Sequence, residues 1–157
     1  LRRTQPLVKL EIVGRNPPRW LVDKVADQHD VTLHANVPDV RPFLATAGMM
    51  VVPLRIGGGS RLKILEALAS SLPVVSSTIG AEGLELTPVD DLQIADTPDA
   101  MVQAIIHWML HPELAAITAQ RGFEVVKNHY DWERLAQVLE SVWEKTVNST
   151  NMVASPC

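Results

Sequence analysis

Three successive glycines, Gly57, Gly58 and Gly59, stand immediately before Ser60, Arg61, Lys63 and Glu66. This combination of residue types can hold a phosphate. Glycine lets a ligand approach the backbone closely. Ser60 is placed to cap a following helix, whose free N–H groups and positive end would then face the loop. An anion is well matched to such an end. Two common phosphate motifs are excluded by the residues themselves. A Walker A loop begun at Gly57 would need its second glycine at Leu62, and Lys63 is followed by Ile64 where a hydroxyl is required. A dinucleotide fingerprint would need its third glycine at Leu62 as well, and it should follow the first strand of its unit.

The neighbouring residues predict what positions this loop. A buried strand over 49–53 enters it, a helix over 60–71 leaves it, and Pro73-Val-Val-Ser76 makes the next strand. On a helical wheel Leu62, Ile64, Leu65, Leu68 and Ala69 cover most of that helix, so Lys63, Glu66 and Ser70 share one narrow stripe. Periodicity alone reads Lys63 and Glu66 as an exposed pair contributing ~0.2–0.5 kcal/mol.

Upstream, strands are predicted over 8–14 and 31–35. A helix after Pro18 carries the stripe Trp20, Leu21, Val25 and Ala26, and a second helix runs over 38–47. Downstream, 78–84 reads as a loop with two glycines and 92–95 as a short last strand. Thr97 caps a helix bearing Met101, Val102, Ile105, Ile106 and Met109 on its apolar side. A helix follows from Pro112 to about 128. Asp131 caps the last helix, with Leu135, Val138, Leu139 and Val142 as its expected buried stripe. Such alternation predicts an α/β domain over 1–148, a mainly parallel sheet with helices on both faces that closes with C-terminal helices. Residues 149–157 are expected to be a frayed tail. Ligands in this architecture bind beyond the carboxyl ends of the strands.

Composition narrows the partners. With 14 Lys and Arg against 18 Asp and Glu, the net charge of −4 argues against a general nucleic-acid binder. The one cysteine, Cys157, permits no internal disulfide, which fits a cytoplasmic setting.

The run Pro53-Leu-Arg-Ile-Gly-Gly-Gly-Ser-Arg-Leu-Lys-Ile-Leu-Glu-Ala-Leu-Ala69, followed by Leu72-Pro-Val-Val-Ser76 and Ile79-Gly-Ala-Glu-Gly-Leu84, closely resembles the nucleotide-sugar-binding domain of retaining GT-B glycosyltransferases of the group 1, GT4-type family. The similarity reaches from strand 8–14 through Val37-Pro-Asp-Val-Arg-Pro42 to Tyr130-Asp-Trp132. It implies a Rossmann-like half of a GT-B fold and a nucleotide-diphosphate sugar as donor substrate, with no further cofactor and no metal. It also implies a cytoplasmic enzyme, either free or peripheral at the inner face of the membrane. By the same resemblance Glu66 accepts hydrogen bonds from the ribose hydroxyls. Gly58, Gly59 and Ser60 face the diphosphate or donor sugar. Arg61 and Lys63 balance its charge, although Lys63 reads equally as a surface residue. The segment 34–37 would lie near the nucleobase, with His34 itself an ordinary packed or surface histidine. Glu82 is either a donor-sugar contact or a solvated loop acid.

The chain departs from the family pattern at several places. Family members often carry a second glutamate eight positions before the one matching Glu66, and that place is Gly58 here. Ala35 and Ser71 stand where the family usually has glycine. The family domain normally begins with another strand and helix, the strand lying mid-sheet, and 1–6 look like the end of that helix. The expectation is therefore a partial donor domain without its N-terminal acceptor domain, inactive alone, in which open strand edges favour self-association or strand exchange. Two other readings stay open, a GT-B sugar-nucleotide epimerase and a non-catalytic nucleotide-binding α/β module.

Overall fold

The computed structural model describes residues 8–153 of the chain. The expected remnant helix at 1–6 lies outside them. In order, the elements are β1 (Leu10–Gly14), α1 (Arg19–Ala26), β2 (Val31–Ala35), α2 (Arg41–Thr46), β3 (Met50–Val52), α3 (Leu62–Ala69), β4 (Val74–Ser76), α4 (Thr78–Ala81), β5 (Gln93–Ile94), α5 (Pro98–Leu110), α6 (Pro112–His129) and α7 (Trp132–Val153). Every strand pairing is parallel. The expected α/β class holds, but the strands form two sheets, β1-β2 and β3-β4-β5, in place of one. No described strand stands between β1 and β3, and each keeps an unpaired edge.

Alternation along β4 organises the core. Val74 joins Val52, Ile64, Leu68, Leu92 and Val126 beneath α3 and α6. Its neighbour Val75 points to the opposite face and joins Met101, Ala104, Trp108 and Ala115 beneath α5 and the start of α6. Successive side chains of a strand face opposite ways, so one apolar run serves two layers. Thr97 caps α5 by accepting from the Ala100 N–H at 3.1 Å, with Pro98 at the first helical position.

Two expectations about helix faces and one about a loop are corrected. The stripe of α7 is not buried: Leu139 is 65% and Val142 54% exposed. The helix leans mainly on α6, so no described element covers its apolar face. On α1, Trp20 is 65% exposed and none of the residues is buried, because that helix packs chiefly on β2. The segment after β4 is not all loop. Ser77 caps the four-residue helix α4 by accepting from the Gly80 N–H at 3.0 Å. The Thr78 backbone N–H and hydroxyl both donate to Asp96, at 2.7 and 2.8 Å, and hold its carboxyl below the ordinary range, the backbone bond first. At the far end α7 continues to Val153, since no glycine or proline interrupts it there. The rest of the expected tail lies outside the described residues.

Two departures from family glycines resolve differently. Ala35 keeps ordinary backbone, and the left-handed position falls on Asn36 (φ 57°). Ser71, by contrast, is itself left-handed (φ 53°). It ends α3 in a Schellman motif, with Leu72 N–H donating to Ala67 O and Ser71 N–H to Leu68 O, both at 2.9 Å. Glycine is the residue least strained in that place. Ser71→Gly is expected to raise unfolding stability by about 0.5–1 kcal/mol, after its extra unfolded-state entropy is deducted. Urea denaturation measures this, and a lower midpoint would contradict it.

Candidate functional site

The ends of β1 and β2 meet α3 at one cavity, and β3 opens into the glycine loop that leads to α3. Gly59 is left-handed (φ 98°), which favours glycine, and a Cβ on Gly58 or Gly59 would meet nothing within 4 Å. The space over the loop is open. Ser60, expected as the helix cap, is not one. The N-cap is Arg61, itself left-handed (φ 54°), and no side chain caps α3. The Arg61 carbonyl accepts from the Ile64 and Leu65 N–H groups, at 2.9 and 3.4 Å. The N–H groups that precede them at a helix start have no intrahelical partner, and here they remain available to a ligand.

Arg61 does not extend into the open space. Its side chain is only 6% exposed, and Nη2 donates to Gly57 O and to Glu82 Oε2, each at 3.3 Å. The structure thus joins two expected site residues, Arg61 and Glu82, to each other. Lys63 is exposed on the first turn of α3. It makes no ion pair with Glu66 among the described residues, so the pair expected from their spacing does not form.

Glu66 lies one turn along α3 and lines a cavity of about 330 Å³. The other walls are Val13, Gly14 and Arg15 at the end of β1, and Val37, Pro38, Asp39, Val40 and Arg41 between β2 and α2. The expected nucleobase segment therefore contributes Val37 and the residues after it. The two strand ends are tied by the Asn36 N–H donating to Gly14 O at 2.8 Å and the Asn16 N–H donating to Asn36 Oδ1 at 2.9 Å. His34 packs its ring against Phe43, centroids 4.6 Å apart. It is a packed histidine and lines no part of the cavity.

Sequence reasoning missed three polar residues of this cavity: Arg15, Asp39 and Arg41. Arg41 donates to Asp39 through Nε at 3.0 Å and Nη2 at 2.9 Å, and through its backbone N–H at 2.9 Å. The side-chain bond foremost, then the backbone one, hold the Asp39 carboxyl below the ordinary range, while the side-chain bond and then the charge of Asp39 push the Arg41 guanidinium up. An aspartate two residues before the first residue of a helix was the available signal. With Arg41 so paired, the cavity presents the carboxylate of Glu66 and the cation of Arg15, neither in an ion pair among the described residues. Among those residues no three His, Cys, Asp or Glu side chains could hold a metal ion, and no helix is long and apolar enough to cross a membrane.

This arrangement is similar to known structures. It superposes with TM-score 0.75 on a sucrose-phosphate synthase from Thermosynechococcus elongatus, at 22% identity over 90% of the chain. TarM follows at 0.71, with 21% identity over 94% of the chain. The C-terminal domain of a group 1 glycosyl transferase, LpcC, from Francisella tularensis gives 0.70, with 18% identity over 83%. The chain spans 39% of the synthase, 29% of TarM and 74% of the LpcC domain. At these identities the likeness concerns the fold. No curated protein matches the chain. The sequence itself, over residues 1–111, matches the model of the glycosyl transferases group 1. With that match running through the glycine loop, Glu66 and the parallel strands that carry them, the chain belongs to the group 1 glycosyl transferase family.

Proposed function

We propose that the chain is the donor-binding part of a retaining glycosyltransferase and takes the nucleoside diphosphate of a sugar donor at the ends of β1, β2 and β3. The observation that carries this reading is the cavity uniting Glu66 with the ends of β1 and β2, beside the uncapped N-terminus of α3. In the proposed pose Glu66 accepts from the two ribose hydroxyls, and the base lies against Val37 and Pro38. The diphosphate meets the loop over 57–60, the first N–H groups of α3 and Lys63. Those donors would also stabilise the departing diphosphate during transfer. Gly58 supplies no carboxylate to the donor sugar, so sugar contacts come from backbone groups. The acceptor is held by a second domain, and the 157-residue chain alone binds donor without transferring it.

Titrating the chain with UDP, GDP and ADP while following the amides of residues 57–63 tests the site. At least one nucleotide is expected to shift them together with Val37. Silence of these amides toward all three at millimolar concentration would overturn the reading.

A further inference from the structure

Of the three cations that flank the glycine loop, Arg55, Arg61 and Lys63, only Arg61 has its charged group inside the fold. A left-handed backbone at the helix start turns its side chain back beneath the loop instead of along α3. Nη2 meets the Gly57 carbonyl four residues earlier and Glu82 Oε2 at the end of α4, both at 3.3 Å. Nη1 fills the space under Gly57, 3.7 Å from where a Cβ would stand. Glu82 remains 71% exposed, whereas Arg61 Nε is buried with no acceptor. A buried guanidinium left incompletely bonded and a left-handed non-glycine backbone are both unfavourable. Together they mark a residue held in place by the fold around it.

We propose that Arg61 is a positioning residue. It latches the loop over 57–60 to α4 through the Gly57 carbonyl, with Glu82 as counter-charge, so that the loop amides and the α3 N-terminus are held in register for an anionic ligand. In this role Glu82 is part of the latch and not a contact for the sugar. The latch is a property of the free protein. Its effect on binding rests on the donor-site reading above.

A direct phosphate ligand and a latch respond oppositely to loss of Glu82. If Arg61 were a ligand restrained by Glu82, Glu82→Ala would free the cation, remove a competing negative charge and tighten nucleoside diphosphate binding. If Arg61 is a latch, the same substitution loosens the loop and weakens binding.

The experiment uses the 157-residue chain and two readouts. Without ligand, ¹⁵N relaxation of residues 57–60 should give order parameters near the rigid value of about 0.85, falling below about 0.6 in Arg61→Gly and in Glu82→Ala. The double variant should be no looser than either single one. Arg61→Lys, which keeps the charge but lacks the planar group whose Nη1 fills the space under Gly57, should fall between. Arg61→Gly relieves the left-handed strain, so the urea midpoint should not drop and loosening cannot be ascribed to unfolding. With whichever of UDP, GDP or ADP binds the parent chain, Glu82→Ala should raise Kd about tenfold, the effect of losing one charge-assisted bond. Unchanged loop order in both single variants, or tighter binding by Glu82→Ala, would overturn the latch. If no nucleotide binds the parent chain, the donor-site reading fails while the relaxation data still decide the latch.

Discussion

Glu66→Ala is expected to raise the Kd for a nucleoside diphosphate about 30-fold while leaving that for inorganic pyrophosphate nearly unchanged. A carboxylate accepting from two vicinal hydroxyls forms charge-assisted bonds, and losing such a group costs roughly 2 kcal/mol after solvation is restored. Glu66 is exposed and makes no ion pair among the described residues, so its loss should alter folding stability by no more than about 0.5 kcal/mol. Glu66→Gln keeps an acceptor without the charge and should give an intermediate loss. Lys63→Ala provides the contrast: a cation over the diphosphate serves both ligands, so nucleotide and pyrophosphate should weaken together. Calorimetric titration of the three variants with both ligands measures the pattern. An equal loss of both ligands in Glu66→Ala would refute the ribose assignment and place the carboxylate near the phosphates.

The parts of this site visible in the sequence are those that depend on residue type and spacing. Glycines after a buried apolar run announce a loop that a ligand can approach. A carboxylate on the polar stripe of an otherwise apolar helix announces a confined charge, and Glu66 indeed lines the cavity while Ile64, Ala67 and Leu68 are buried. The two-layer core was also readable, because consecutive valines in a short strand can serve both faces of a sheet. Backbone conformation was not. Ser60 is a better cap by type than Arg61, and nothing in an arginine declares a left-handed turn, so the direction of its side chain could not be read. The pairing of Asp39 with Arg41 is a turn-level event of the same kind. The exposed faces of α1 and α7 reveal a different gap. Amphipathicity says that a helix face favours cover, and the described elements of this chain do not supply it for Trp20, Leu139 or Trp143.

Gly122→Ala, finally, should lower stability by about 2–3 kcal/mol, against the sign that helix propensity alone gives. Alanine in a helix interior ordinarily gains about 1 kcal/mol over glycine. Gly122 lies within α6 where that helix crosses α3, and a Cβ there would stand 2.7 Å from the Asp91 carbonyl oxygen and 2.7 Å from Leu68 Cδ2. Leu68 is fully buried in the core cluster with Val52, Ile64, Val74, Leu92 and Val126, so its side chain turns only against packed neighbours. Asp91 is buried and anchored, accepting from the Thr87 N–H at 2.7 Å through Oδ2 and donating its own N–H to Thr87 O at 2.9 Å. Neither neighbour yields cheaply, so the strain of overpacking exceeds the propensity gain. For a domain of this size the loss corresponds to a Tm lower by roughly 5–10 °C. Relief of the clash would push α3 away from α6, and Glu66 lies two residues from Leu68 on that helix. The variant should therefore weaken nucleotide binding even while folded, through displacement of the carboxylate from the ends of β1 and β2. A midpoint equal to or above that of the parent chain would mean that α3 and α6 are spaced more loosely than the packing of Gly122 requires.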